Sequence, residues 1–135
     1  MFLVSACLAG FNTRYNGSNS KDDRVVELVS KGRAVPVCPE QIGGLPTPRP
    51  KIQFTEDGKT EGEDGIDYTK NLIRGAEEAL RIARMLGIRR AILKEGSPSC
   101  GVTYVWVSGQ KIAGKGVTSR LLEKNGIEVE TIDSL

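Results

Sequence analysis

DYTKNLIRGAEEALRIARMLGIRRAIL, residues 67–93, is the stretch that decides the fold. Asp67 can accept hydrogen bonds from the free N–H groups at a helix start, and Leu72, Ile73, Ala76, Ala79, Leu80, Ala83 and Leu86 recur at helical spacing. A helix with one apolar stripe is therefore predicted from about Tyr68 to Leu86. Gly87 supplies the residue type that closes helices in the left-handed conformation. Ala91-Ile92-Leu93 then forms a short unbroken apolar run, the pattern of a buried strand.

The same alternation extends in both directions. Phe2-Leu3-Val4-Ser5 reads as a first buried strand, followed by the turn formers Gly10, Asn12, Asn16 and Gly17. Asp22 can cap a helix with Val25, Val26, Leu28 and Val29 facing inward and Gly32 at its end. Ala34-Val35-Pro36-Val37 is the second strand, parallel to the first because a crossover helix separates them. Between residues 39 and 50, Pro39, Pro46, Pro48, Pro50 and Gly43-Gly44 are too many breakers for a helix or central strand, so a loop is expected. Ile52 and Phe54 alternate before Asp57-Gly58, a hairpin signal, and Tyr104 to Val107 with Ser108-Gly109 and Ile112 gives another. A last helix is predicted from Val117-Thr118 over Leu121 and Leu122 to Asn125-Gly126, and Ile127 to Ile132 alternates like an edge strand. The expected class is α/β: a single domain over residues 1–135, a three-layer, Rossmann-like sandwich on a short, mostly parallel sheet, with strand order 2-1-3-4.

At 135 residues the chain can bury about two thirds of its unfolded surface. With 39% hydrophobic and 27% charged residues, it has no run near the ~18 apolar residues of a membrane span. Met1-Phe2-Leu3-Val4 carries no secretory pattern, so a cytoplasmic location is expected. The net charge of +2 comes from interspersed signs, and aromatics are few, which argues against an extended nucleic-acid footprint. Histidine is absent, removing Ser-His-Asp and Cys-His catalysis and every His-ligated metal site. Gly114-Lys115-Gly116 lacks the spacing of a Walker A phosphate loop and is assigned to a turn.

Cys7, Cys38 and Cys100 each follow a predicted strand and should meet beyond the carboxyl ends of the parallel sheet, where such folds bind ligands. Their separation in sequence excludes a local CxxC motif, so any grouping depends on the fold. Three thiols without histidine suit a soft metal, and Cys38-Pro39 matches the Cys-Pro end of ferredoxin cluster runs. Buried thiols acting as small hydrophobes, and a disulfide with one spare thiol, are the alternatives.

Ser5-Ala-Cys7-Leu, Tyr15-Asn-Gly17, Val37-Cys-Pro-Glu40, Gly43-Gly-Leu45 with Pro48-Arg49, Leu93-Lys94 and Ser97-Pro-Ser-Cys-Gly101 occur in that order. Together they resemble the 2-thiouracil desulfurase family over nearly the whole chain. The resemblance implies a 4Fe-4S cluster held by only Cys7, Cys38 and Cys100, with one iron open to substrate. It implies desulfuration without net redox change: the open iron takes the thiocarbonyl sulfur of a base such as 2-thiouracil, water or an enzyme nucleophile adds to the carbon, and sulfide departs. The substrate expected is a small thiolated base or nucleotide. A cluster-dependent sulfur transferase or hydratase, and a non-catalytic metal, cluster or persulfide sensing module, are the other readings.

On that resemblance, Glu40 is the candidate acid/base, being the carboxylate nearest a proposed ligand in sequence, and Ser97 is the candidate to position water or relay a proton. Ser99 is the second choice, for substrate contact; serines beside Pro98 also cap turns. Arg49 either holds a substrate oxygen or ties the proline-rich loop to a carboxylate. Tyr15 and Asn16 could stack on and hydrogen-bond a base. The resemblance departs at Asn16, where many relatives carry aspartate.

Overall fold

The structure is a computed structural model and describes residues 1–134. Four parallel strands, β1 (Phe2–Ser5), β2 (Ala34–Val37), β5 (Arg90–Ile92) and β8 (Glu128–Glu130), form the main sheet in the order β2-β1-β5-β8. Counted within that sheet, the order is the 2-1-3-4 read from the sequence. Successive residues point to opposite faces, as the strand period requires. Leu3 and Ala91 pack on one side with Ala79, Leu80 and Ala83 of α3 (Thr69–Leu86) and Leu122 of α4 (Val117–Lys124). Val4 and Ile92 pack on the other with Val25 of α1 (Asp23–Ser30). Helices thus cover both faces of the sheet.

Asp22 and Gly87 cap their helices as expected, whereas Asp67 lies one residue before the N-cap position of α3, which is Tyr68. The Asp22 carboxylate accepts the Arg24 N–H at 2.9 Å, and the Asp67 carboxylate accepts the Thr69 N–H at 2.8 Å. Gly87 closes α3 at φ 66°. The apolar stripe on α3 is narrower than predicted: Ile73 and Leu86 are 45% and 48% exposed, while Leu72, Ala76, Ala79, Leu80 and Ala83 are buried. Ile73 lies one residue off the line that meets the sheet, and Leu86 is the last helical residue.

The proline-rich segment differs from its reading as loop throughout. A single helical turn, α2 (Pro39–Ile42), begins directly after Cys38. Pro39 is tolerated because the first helical position needs no N–H, and the Cys38 carbonyl accepts the Ile42 N–H at 3.0 Å. The two predicted hairpins also join into one sheet, with order β4-β3-β6-β7. They are β3 (Ile52–Phe54) with β4 (Thr60–Gly62), and β6 (Tyr104–Val107) with β7 (Gln110–Ala113). Parallel pairing of Phe54 with Val107 connects them, a long-range contact that no local pattern announces.

Glycine brings α2 and α3 unusually close. A Cβ on Gly75 would lie 1.9 Å from the Pro39 carbonyl oxygen, and one on Gly43 would lie 2.2 Å from that of Asn71. The Asn71 side-chain amide donates to the Gly43 carbonyl at 3.0 Å, fixing the turn that carries Glu40. Gly75→Ala should gain about 1 kcal/mol of helix propensity. It should lose more by forcing α2 away, as overpacking costs about 1–3 kcal/mol. A lowered urea midpoint is expected, and an unchanged or raised one would contradict this close approach.

Candidate metal centre

The ends of β1, β2 and β5 lie within one residue of one another because of their register: Ser5 pairs with Val37, and Val4 with Ile92. Cys7 follows in a 3₁₀ turn over Ala6–Ala9, Cys38 precedes α2, and Cys100 sits in the turn after β5. Cys7 and Cys100 are buried, Cys38 is partly buried, and all are free thiols. All three line one cavity of about 250 Å³, just below the ~300–1,000 Å³ of ordinary small-molecule sites.

The thiols feel one another. Burial pushes the Cys7 thiol up to about 11, the neighbouring Cys38 adds to the rise, and Lys94 and Arg14 oppose it. Burial also raises Cys100 strongly, with contributions from Cys38, Cys7 and Glu40, while a hydrogen bond with Ser5 pulls the other way. Among the described residues, no three His, Cys, Asp or Glu side chains gather closely enough to chelate a single ion. The donor set fits a soft, multi-atom centre: sulfur only, unbridged, and arranged around a volume.

Cys100 is held by a network that anchors its loop at both ends. The Ser97 hydroxyl oxygen accepts the N–H groups of Ser99 and Cys100, each at 3.1 Å. At the start of α4, Val117 and Thr118 N–H groups donate to the Pro98 and Ser99 carbonyls at 2.8 and 2.9 Å, and the Ser119 hydroxyl donates to the Cys100 carbonyl at 2.9 Å. The free donors of the helix start are thereby satisfied by the cysteine loop. Gly116 permits the contact, since a Cβ there would lie 2.4 Å from the Ser99 carbonyl oxygen. The Glu95 carboxylate closes the loop by accepting the Val102 and Thr103 N–H groups at 2.7 and 2.9 Å.

Tyr15, Glu40, Arg49 and Ser97 line the same cavity as the cysteines. Glu40 and Arg49 form a buried ion pair, Oε2 to Nη2 at 3.4 Å, with side chains 12% and 3% exposed. Burial raises the Glu40 carboxyl above its ordinary value, and Arg49 counters through its charge and hydrogen bond. Arg49 is directed into the protein: Nη1 donates to Thr47 Oγ1 at 2.8 Å and Nη2 to the Thr13 carbonyl at 2.8 Å. Of its two expected roles, tying the proline-rich loop to a carboxylate is the one these contacts display.

Asn16 and Ser99 are not among the cavity-lining residues. Asn16 is exposed, and its Oδ1 accepts from the Ser18 N–H at 3.1 Å, which is turn chemistry. Ser99 is fully buried behind the cysteine loop, and its hydroxyl has no partner. Lys94 of the Leu93-Lys94 motif adds positive charge to the walls with Arg14 and Lys51, which the sequence did not single out, and Tyr104 and Trp106 form an edge-to-face pair at 6.5 Å. Their alternation along β6 places both aromatics on one face, but only the joining of the hairpins brings that face to the cysteines.

The 2-thiouracil desulfurase family matches residues 2–134. The chain belongs to that family. It is similar to the Bacillus subtilis (strain 168) protein named "Uncharacterized protein YbbK", 39% identical over 141 residues that cover 96% of this chain and 93% of the relative. Among solved structures it resembles the [4Fe-4S]-dependent thiouracil desulfidase TudS, with TM-score 0.92 and 42% identity, covering 99% of this chain and 91% of that one. The α/β fold anticipated from the alternation of strands and helices is therefore borne out. Among the described residues, no helix is long and apolar enough to cross a membrane.

Glu95 provides a pH-dependent test of the loop anchor in this desulfurase-family chain. Desolvation raises its carboxyl, but donors from Thr103, Val102 and Tyr104 outweigh it and hold the group below its ordinary 4.5. A depressed acid stabilises the fold above its unfolded pKa and loses that contribution as pH falls through the folded value. Glu95→Gln should cost about 1 kcal/mol at neutral pH. The gap from the parent protein in urea unfolding should shrink below pH 4.5. A gap constant with pH would show that the carboxylate charge does not hold this loop.

Proposed function

We propose that this chain is an iron-sulfur enzyme that removes sulfur from a small thiolated pyrimidine such as 2-thiouracil, without net redox change. The observation that carries this reading is the convergence of all three cysteines, with Glu40 and Ser97, on one small cavity. Family membership and the likeness to TudS support the substrate class and the iron-sulfur cofactor. Cys7, Cys38 and Cys100 would hold a 4Fe-4S cluster through three thiolates, and its iron without a protein ligand would supply Lewis-acid chemistry toward a thiocarbonyl sulfur. A single structural zinc suits the site less, because the chain has no histidine to add a fourth ligand to the thiols.

Glu40 is the proposed acid/base. Its Oε2 is held by Arg49, leaving Oε1 to exchange a proton with water or substrate. Ser97 accepts two backbone N–H groups at its oxygen, so its own O–H is left to donate to a water or substrate atom in the cavity. Tyr15 offers a ring to a planar base, and Tyr104 with Trp106 forms a second aromatic wall of the cavity. The exchange balances: thiocarbonyl plus water gives carbonyl plus hydrogen sulfide, with no oxidant or reductant.

Anaerobic reconstitution followed by thiouracil absorbance and sulfide assays tests this reading. The parent protein should release one sulfide per base consumed, and replacing any of the three cysteines by serine should abolish both cluster and turnover. Glu40→Gln should retain iron and lose roughly 10²–10⁴-fold in kcat. Undiminished turnover in Glu40→Gln would remove the acid/base assignment. A stable cluster that liberates no sulfide from any thiolated base would make the protein a binding or sensing module.

A further inference from the structure

Arg49 does more than close the loop around the cavity. Its Nη2 group lies 3.9 Å from Cys38 Sγ, within reach of an N–H···S hydrogen bond, and also donates to Glu40 Oε2 and the Thr13 carbonyl. Its backbone N–H donates to the Tyr15 carbonyl at 2.8 Å. The guanidinium is therefore fixed from several directions, with its side chain 3% exposed. Nε is buried without a protein partner, although Arg49 lines the cavity. A buried cation with a donor on a thiol and a second donor unused is poorly explained as a loop brace alone, for which the Pro46, Thr47 and Thr13 contacts would suffice.

We infer that Arg49 is a positioning residue for the iron-sulfur centre: it donates to the Cys38 sulfur and places a fixed positive charge beside the cluster while holding the Glu40 carboxylate. This rests on the reading that Cys38 is a cluster ligand. Hydrogen bonds to ligand sulfur and nearby charge are two ways in which a protein sets the potential of such a centre. A cation favours the more negative, reduced cluster, so its removal makes reduction harder. Lysine retains the charge but lacks the planar fork that reaches Cys38, Glu40 and the Thr13 carbonyl together.

The test compares the reconstituted parent protein with Arg49→Met and Arg49→Lys by redox titration and by resonance Raman spectroscopy of the iron–thiolate stretches. Arg49→Met should load a cluster whose midpoint potential is more negative and whose iron–thiolate bands are shifted. Arg49→Lys should recover part of the potential but not the bands. Loaded variants that match the parent in both readouts overturn the inference. So does failure of both variants to load, which would make Arg49 a structural brace. A parent protein that takes up no cluster would instead defeat the reading of the cysteines as ligands.

Discussion

Parallel register between β2, β1 and β5 is the constraint on which the site depends. With Ser5 opposite Val37 and Val4 opposite Ile92, the three strands end within one residue of one another, and the chain leaves each of them at one edge of the sheet. Cys7 and Cys38 then come into proximity without any local motif. A slip of one residue in β1 would turn Leu3 and Val4 to the wrong faces, exchanging two cores that contact different helices. Hydrophobic alternation within a few short strands therefore enforces the meeting of sulfurs far apart in sequence.

Strand ends give only an approximate location, and the site needs finer control. Two glycine contacts provide it, Gly75 against Pro39 for the Cys38 side and Gly116 against Ser99 for the Cys100 side. In both, a helix backbone touches a cysteine-bearing segment more closely than any side chain would permit. Burial of the thiols works against their ionised forms, since desolvation is the leading cause of the rise at Cys7 and Cys100. Lys94 and Arg14 partly offset it at Cys7. Anionic thiolates in such a setting need a cationic partner of their own, and a metal centre is the partner that soft sulfur favours.

Much of this was legible in the sequence because its signals were local. Capping by Asp22 and Asp67, the stop at Gly87 and the apolar runs at 2–5, 34–37 and 91–93 defined the main sheet, and the rule for ligands at strand ends drew attention to the cysteines. The motif order that resembles the 2-thiouracil desulfurase family pointed to the family to which the chain belongs. Long-range features were hidden. Pairing of Phe54 with Val107 builds a second sheet and brings Tyr104 and Trp106 into the cavity, yet neither hairpin encodes the other's position. α2 was masked by the prolines of its segment, because breaker counting ignores the one helical position that accepts proline, here Pro39. The motifs that carry the resemblance also suggested Asn16 and Ser99, but the Asn16 side chain serves a local turn and Ser99 is buried in the interior.

In the proposed chemistry, binding of the sulfur would be separate from handling of the proton. On the proposed reading, three thiolate ligands without a fourth from the protein would leave one position open at the centre, and Glu40 and Ser97, which line the same cavity, would serve the carbon from which sulfur departs. The account stands on that incompleteness: a cluster closed by four protein ligands would suit electron transfer instead. Mössbauer spectroscopy of the anaerobically reconstituted, iron-enriched protein tests it most directly. One iron should be distinct from the other three and should alone change when a thiolated base is added. Four equivalent irons that ignore the base would contradict the account.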